Sequence, residues 1–143
     1  MALIASTRGA VASPQITRRL PLWRAILFRV GLVLSAIMGL FNLLNGWGNL
    51  TSPDDAVISP LLATTLIVIG LPTLLFVSLA WIPVRWALIT LISLRSLEFF
   101  TMFLPMGKGD WYDAPEQRPF YLVLVGMSLG VCALMALGLQ RRK

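Results

Sequence analysis

The sequence predicts an all-α integral membrane protein, a four-helix transmembrane bundle with both termini in the cytoplasm. Three observations carry that expectation. Four apolar runs, residues 23–45, 56–81, 84–104 and 119–139, each match the roughly 20 residues that cross about 30 Å of hydrocarbon as a helix. All five tryptophans (Trp23, Trp47, Trp81, Trp86 and Trp111) fall at the edges of those runs or in the loops, where an indole keeps its ring in the headgroup zone and its N–H wet. The charges also separate. Arg18, Arg19, Arg24, Arg85, Arg141, Arg142 and Lys143 lie on one side, while Asp54, Asp55, Asp110, Asp113 and Glu116 lie on the other with only Lys108 and Arg118. Basic residues mark the cytoplasmic side, and a three-span or five-span arrangement would break this partition.

Composition points the same way. The 143 residues suffice for one domain, with 57% hydrophobic and 13% charged residues, about half the charge of an ordinary soluble domain. A soluble fold this small has too little interior to hide so much apolar surface. The net charge of +6 sits at the edges of apolar runs, where it addresses anionic headgroups. No basic stripe interleaved with exposed aromatics suggests nucleic acid as a partner. The chain has no His, which removes imidazole haem ligation, histidine base catalysis and the usual zinc sites. Its single cysteine, Cys132, can form neither an internal disulfide nor an iron–sulfur ligand set and reads as a packing thiol. No cofactor and no metal are expected.

Residues 1–20 hold Arg8, Arg18 and Arg19 among Ser, Thr and Ala, without an acid. They are expected to form a disordered cytoplasmic tail, although the same composition fits an organellar targeting peptide. Residues 21–143 form the transmembrane domain. Within it helix is forced, because lipid offers no partner to free backbone N–H and C=O groups.

The first run carries Gly31, Ser35 and Gly39 at four-residue spacing, and the fourth carries Gly126 and Gly130 with Ser128, Cys132 and Ala136 on a nearby line. Small residues in such lines let helix backbones approach closely in lipid. Helices one and four are therefore expected to be tight-contact helices, within the chain or against a partner. Arg29 lies near the cytoplasmic end of helix one and can snorkel. The second run contains Gly70 and Pro72. Proline removes a backbone hydrogen bond, so a kink near midspan is expected, of the kind that shapes packing or lines a transporter site. Ile82-Pro83-Val84-Arg85 reads as a tight turn that makes helices two and three antiparallel neighbours. The outer loops, residues 46–55 and 105–118, each open on Gly-x-Gly, Gly46-Trp47-Gly48 and Gly107-Lys108-Gly109. These read as turn chemistry or as a faint hairpin repeat.

The sharpest feature is Arg95 with Glu98 in the third run. Arg95 lies about 16 Å along the helix from its start, near the membrane midplane, and Glu98 is one turn outward on the same face. An unpaired charge at the helix centre costs about 2.5–3.5 kcal/mol on insertion scales, so the two are expected to neutralise each other. That pair reads as an internal packing device, a contact to a partner subunit, or a polar site for an ion, proton or ligand. Thr101, Asn42 and Asn45 lie at similar depth and can complete a polar pocket open to the outside.

No nucleophile–base pair, phosphate-binding glycine loop or dinucleotide fingerprint is present. The outer acids Asp110, Asp113 and Glu116 lack the spacing of a calcium loop. They read as solvated charges or as a docking patch for a basic partner. The layout is similar to that of small DoxX-like membrane proteins, with Arg24 near the start of helix one, Arg85 at the second turn and Glu116 in the loop before helix four. The Arg-rich, Lys-poor composition also resembles that of accessory subunits of actinobacterial membrane complexes. No functional residue follows from either likeness.

Three functions are consistent with this reading. The first is a non-catalytic accessory or scaffold subunit of a larger membrane assembly, respiratory or of the cell envelope. The second is a small transporter or channel, acting as an oligomer through Arg95, Glu98 and the kink at Pro72. The third is a membrane enzyme acting on lipid or quinone. The expected partners are the lipid bilayer and other membrane subunits or copies of the chain, and the expected location is a bacterial plasma membrane.

Overall fold

The computed structural model describes residues 21–82 and 84–139. The expectations for residues 1–20, for Pro83 and for Arg141, Arg142 and Lys143 fall outside the described residues. The fold is all-α: four long helices, α1 (Leu22–Thr51), α2 (Pro60–Ala80), α3 (Arg85–Thr101) and α4 (Arg118–Ala136), with 3-10 turns at Pro53–Asp55 and Pro115–Gln117. No strand occurs among the described residues.

Three of the helices are long and apolar enough to cross a membrane: α1, α2, and α4 together with the turn that leads into it (Pro115–Ala136). The third run does not reach that length. Its hydropathy predicts helix over 84–104, but α3 has 17 residues, about 26 Å at 1.5 Å per residue. Its end has a local cause, since Leu104 precedes Pro105 and a residue before proline is pushed out of the helical region.

The first boundary differs in the other direction. α1 runs on to Thr51, so Gly46-Trp47-Gly48 is helical and makes no turn. Packing explains it. A Cβ on Gly46 would lie 2.5 Å from the Ala63 carbonyl oxygen and 2.8 Å from Ile67, so this glycine is there for close approach to α2. In the other loop, Gly107 (φ 94°) and Gly109 (φ 80°) do adopt the left-handed region, where glycine carries no steric penalty. α2 begins with a standard N-terminus: Pro60 occupies the first turn and the Ser59 hydroxyl accepts from the Leu62 N–H at 3.2 Å, satisfying one of the open donors there.

The helices pack in a ring. α1 lies against α2 and α4, and α3 lies against the same two, so α1 and α3 face each other across the centre. Leu32 and Met38 from α1, Val77 and Ala80 from α2, Ala87, Leu88 and Leu91 from α3, and Val131 and Met135 from α4 form one apolar core. That core occupies the half of the molecule where α1 and α3 begin. The tightest crossing joins α1 and α2. A Cβ on Gly70 would meet the Gly39 carbonyl oxygen at 2.8 Å, and one on Gly39 would meet Thr73 at 2.9 Å. On the other flank, a Cβ on Gly31 would lie 2.9 Å from Leu134 Cβ.

Large apolar side chains also cover the outside. Leu61, Val68, Leu71 and Leu75 are exposed along one stripe of α2, and Ile26, Val33, Ile37, Leu40 and Leu44 are exposed on α1. Contiguous apolar surface on this scale marks burial in something other than water. Trp23, Trp47, Trp81 and Trp86 are all exposed at or near helix ends, with Trp47 one turn inside the end of α1.

These contacts separate two glycines that the sequence presents as a pair. Gly46→Ala gains helix propensity, up to about 1 kcal/mol, yet drives a methyl into a backbone carbonyl that has nowhere to go. We expect a net loss of about 1–3 kcal/mol from overpacking. Gly48→Ala, with no atom within 4 Å of the new Cβ, is expected to be neutral or mildly stabilising. Thermal unfolding of both variants in detergent checks the difference in sign.

Candidate functional site

The centre of the ring is polar. Arg95 and Glu98 project from α3 and form an ion pair, Arg95 Nη1 donating to Glu98 Oε2. Their relative exposures are 0% and 1%, so neither group reaches the surface. The i, i+3 spacing on α3 makes the pair, and two other helices complete it. Asn42 of α1 donates from Nδ2 to Glu98 Oε1 at 2.6 Å. Thr73 of α2 accepts from Arg95 Nη2 at 2.9 Å, while its own proton goes to the Ile69 carbonyl at 2.7 Å. The Asn42–Glu98 bond crosses the diagonal of the ring, from α1 to α3. Pro72 precedes Thr73, so the break in the α2 hydrogen-bond ladder falls beside the acceptor for Arg95. Arg95 Nε is left without a hydrogen-bond partner among the described residues, as are two other buried atoms, Ser35 Oγ on α1 and Ser128 Oγ on α4.

Above the pair, toward the end where α1 and α3 finish, lies a pocket of about 70 Å³. Asn42, Asn45, Glu98, Thr101, Asp110, Gln117 and Tyr121 supply its polar lining, and Phe41, Leu62, Leu66, Phe120 and Leu124 are among its apolar walls. Depth along the helices is enough to group Asn42, Asn45, Glu98 and Thr101. Asp110 and Tyr121 join them through the loop between α3 and α4, which no helical register reveals.

That loop is held by Asp110. Its carboxylate accepts from the backbone N–H groups of Gly107 at 2.7 Å, Tyr112 at 2.8 Å and Asp113 at 2.7 Å. The Tyr121 hydroxyl donates to the Gly109 carbonyl, and the Ser59 N–H donates to the Lys108 carbonyl at 2.8 Å. The second outer loop is thereby docked onto the first. Asn49 stabilises the first loop, its Oδ1 accepting from Val57 N at 2.8 Å and Ile58 N at 3.2 Å. Backbone amides, that of Asp113 foremost, hold the Asp110 carboxyl below the usual carboxylate range against the opposing effect of burial.

The remaining predicted residues are placed apart from this centre. Asp54, Asp55, Asp113 and Glu116 are exposed, and among the described residues no group of three acids, cysteines or histidines is brought together as a metal site. Gly126 and Gly130 do not face a neighbouring helix: among the described residues a Cβ on either meets nothing within 4 Å. The tight-contact line expected on helix four is instead Ser128, Val131 and Met135, which are buried, because the α4 backbone is rotated to turn its glycines outward. Gly31, Ser35 and Gly39 on α1 do face the interior. Cys132 is half-buried, with Sγ 4.0 Å from the Ile92 carbonyl.

The fold and this interior define a class: an all-α, membrane-embedded chain with an apolar exterior and a buried ionic centre. No protein-family model, curated protein or solved structure matches the chain. The likeness to DoxX-like proteins is thus one of layout and assigns no family.

Two outcomes follow from the geometry. Removing one partner of the pair, as in Glu98→Gln or Arg95→Met, strands a buried charge, and a loss of about 3–5 kcal/mol is expected. The double change Arg95→Met with Glu98→Met recovers most of it, and a double-mutant cycle by thermal unfolding reads the coupling. The second concerns pH. Because the folded Asp110 carboxyl titrates below its unfolded counterpart, its contribution is fully present above the unfolded value of about 3.9. It is lost as pH falls through the lower folded value. The stability gap between wild type and Asp110→Ala is therefore expected to hold from neutral pH to about 4 and to close below it, as followed by unfolding at stepped pH.

Proposed function

We propose that this chain is a four-span bacterial plasma-membrane protein with both termini in the cytoplasm, serving as a non-catalytic subunit that docks a transmembrane helix of a larger assembly on α4. The observation that carries the reading is the outward face of α4. Gly126 and Gly130 stand one turn apart with no atom of another element among the described residues within 4 Å of their Cβ positions, flanked by exposed Val123, Met127 and Leu129. Small residues at four-residue spacing let another helix approach to backbone contact. The interior supports the same reading, because the charged groups that would serve chemistry are bonded to one another.

The orientation rests on Arg24 and Arg85 at one end and Asp54, Asp55, Asp110, Asp113 and Glu116 at the other. The short α3 fits a fourth span if the bilayer thins locally and Arg85 and Trp86 anchor its start at the interface. A second reading, a small transporter or channel, is favoured by the pocket that leads from the outer end to Glu98. It requires flux in liposomes that Glu98→Gln abolishes in a protein that still folds.

The docking reading has its own test. Gly126→Leu and Gly130→Leu replace glycines whose Cβ positions meet nothing among the described residues, so thermal stability is expected to hold or to rise by about 0.5–1 kcal/mol per site from helix propensity. The fixed-stoichiometry complex seen by native mass spectrometry after mild extraction is expected to be lost. A wild-type chain that emerges as a clean monomer, or leucine variants that keep their partner, ends the proposal.

A further inference from the structure

Two side chains of the pocket lining are exposed, Phe41 of α1 at 44% and Phe120 of α4 at 51%. The lining residues from α2, α3 and the loops are buried or half-buried. The loops close the end that faces away from the apolar core. Ile58 and Asp110 line the pocket from them and are buried, and the Ser59 N–H bond to the Lys108 carbonyl ties one loop to the other. The mouth therefore lies on the flank, between α1 and α4. In a membrane-embedded chain that flank meets lipid.

The polar groups change sense between the interior and the mouth. Asn42 is buried and gives Nδ2 to Glu98 Oε1 at 2.6 Å. A carboxylate oxygen takes only a donor, so Asn42 keeps its Oδ1 as an acceptor. Tyr121, also buried, donates to the Gly109 carbonyl and keeps lone pairs. Asn45, one turn outward and half-buried, has the opposite polarity. Asn49 Oδ1 takes the Val57 and Ile58 N–H groups, so Asn49 Nδ2 donates, and it does so to Asn45 Oδ1 at 3.0 Å. Asn45 Nδ2 is left as a donor with no acceptor among the described residues. Half-buried Gln117, beside the start of α4, adds an amide whose side chain has no hydrogen-bond partner among the described residues. A hydroxyl is thus matched deep in the cleft, and carbonyl oxygens are matched at its mouth.

Charge narrows the ligand further. The lining holds two carboxylates and no Lys or Arg. Both carboxylates are already bonded, Glu98 to Arg95 and Asn42, Asp110 to three backbone amides. Arg118 lies outside the lining, where its Nε donates to the Trp111 carbonyl at 3.1 Å. A phosphate in the pocket would face two acids and no cation, whereas an uncharged head meets no such cost. We propose that this cleft binds an uncharged glycerolipid, a mono- or diacylglycerol, which enters from the bilayer between α1 and α4. Its free hydroxyl donates to Asn42 and Tyr121, its ester carbonyls accept from Asn45 and Gln117, and its acyl chain leaves over Phe41, Phe120 and Leu124. Asn42 and Asn45 are about 4.5 Å apart along the helix axis, a distance that a three-carbon head carrying both groups spans. Gly126 and Gly130 are not part of the lining, so this binding and the docking on α4 stand or fall separately.

The test uses the full-length protein in detergent, with thermal unfolding followed by tryptophan fluorescence. Dioleoylglycerol, its acetylated form without a free hydroxyl, dioleoylphosphatidylglycerol and decylubiquinone are each titrated into the micelles. Dioleoylglycerol is expected to raise Tm by several degrees in a saturable manner, and the acetylated form and the phospholipid to do so weakly or not at all. Leu66→Phe fills the pocket from the α2 wall and is expected to remove the shift while leaving Tm without added lipid near wild type. Asn45→Ala keeps the Asn49 bond to the backbone carbonyl at that position and loses only the free donor. Combined with Gln117→Ala, it is expected to weaken the apparent affinity at least about fivefold, the worth of one ordinary hydrogen bond, which keeps the test decisive if the phenylalanine variant fails to fold. The proposal is overturned if dioleoylglycerol gives no saturable shift, whatever decylubiquinone does, or if the acetylated form or the phospholipid matches it. It is equally overturned if the shift persists undiminished in the Asn45→Ala, Gln117→Ala double variant and in every folded Leu66→Phe sample, because the lipid then acts elsewhere.

Discussion

An ion pair sealed from solvent governs how these helices are arranged. Arg95 and Glu98 cancel each other's charge, but a bare pair in a low-dielectric interior still leaves N–H donors and carboxylate lone pairs without partners, and each such group is costly to bury. Asn42 from α1 and Thr73 from α2 supply what α3 cannot supply from its own length. Three helices must therefore meet at one depth. The close crossing of α1 and α2 follows from that demand. Gly39 and Gly70 bring the two backbones together there, and a Cβ placed on Gly70 would also lie 3.3 Å from the Asn42 Cβ. A bulkier residue at Gly39 would strike Thr73, the acceptor for Arg95. The small residues and the ionic network are in this sense one device.

Such a pair adds little net stability compared with apolar residues of the same volume. Its effect is on register. The apolar core below it, built from Leu32, Met38, Val77, Leu88, Leu91, Val131 and Met135, consists of interchangeable aliphatic contacts. Helices in lipid gain nothing from expelling water, so aliphatic packing alone tolerates sliding by a turn. Sliding α1 against α3 by one turn would separate Asn42 from Glu98 and expose a buried carboxylate to hydrocarbon. α1, α2 and α3 are thereby locked in axial position by hydrogen bonds and not by shape alone.

Much of this is legible in the sequence, and the reasons for the rest are specific. The helices are visible because lipid imposes length and hydropathy on a span. The i, i+3 pair is visible because helical spacing is local, and Asn42 with Thr101 follows from counting depth. Helix ends are less legible where tertiary contact overrides a local signal: Gly46-Trp47-Gly48 looks like a turn but is held helical by α2, and α3 stops short at Pro105. A threonine within an apolar run carries no periodic signal, so the role of Thr73 depends on seeing which helix faces Arg95. Asp110 and Tyr121 are joined to the pocket by a loop fold set by two left-handed glycines and by bonds to the other loop. Gly126 and Gly130 show the limit of a motif. Their spacing states that something can approach closely, and only the rotation of α4 states that this chain does not.

The contrast between the two halves of the molecule bears on what kind of work it can do. Toward the ends of α1 and α3 the interior is open, polar and roofed by two docked loops. Toward their starts it is closed by aliphatic packing, with the ion pair at the boundary. A path through the centre would require Glu98 to leave Arg95, and α1 to part from α2 where their backbones touch at Gly39 and Gly70. Single-partner loss at such a pair is worth about 3–5 kcal/mol, and an equilibrium opposed by that amount populates the open form at well under one part in a hundred. A carrier needs both forms within reach of its ligand's binding energy. A subunit that must present a fixed face to a neighbour needs the opposite, a frame that does not open. The ionic centre and the crossing glycines supply that rigidity, and Gly126 and Gly130 on α4 lie on one of the faces it holds outward.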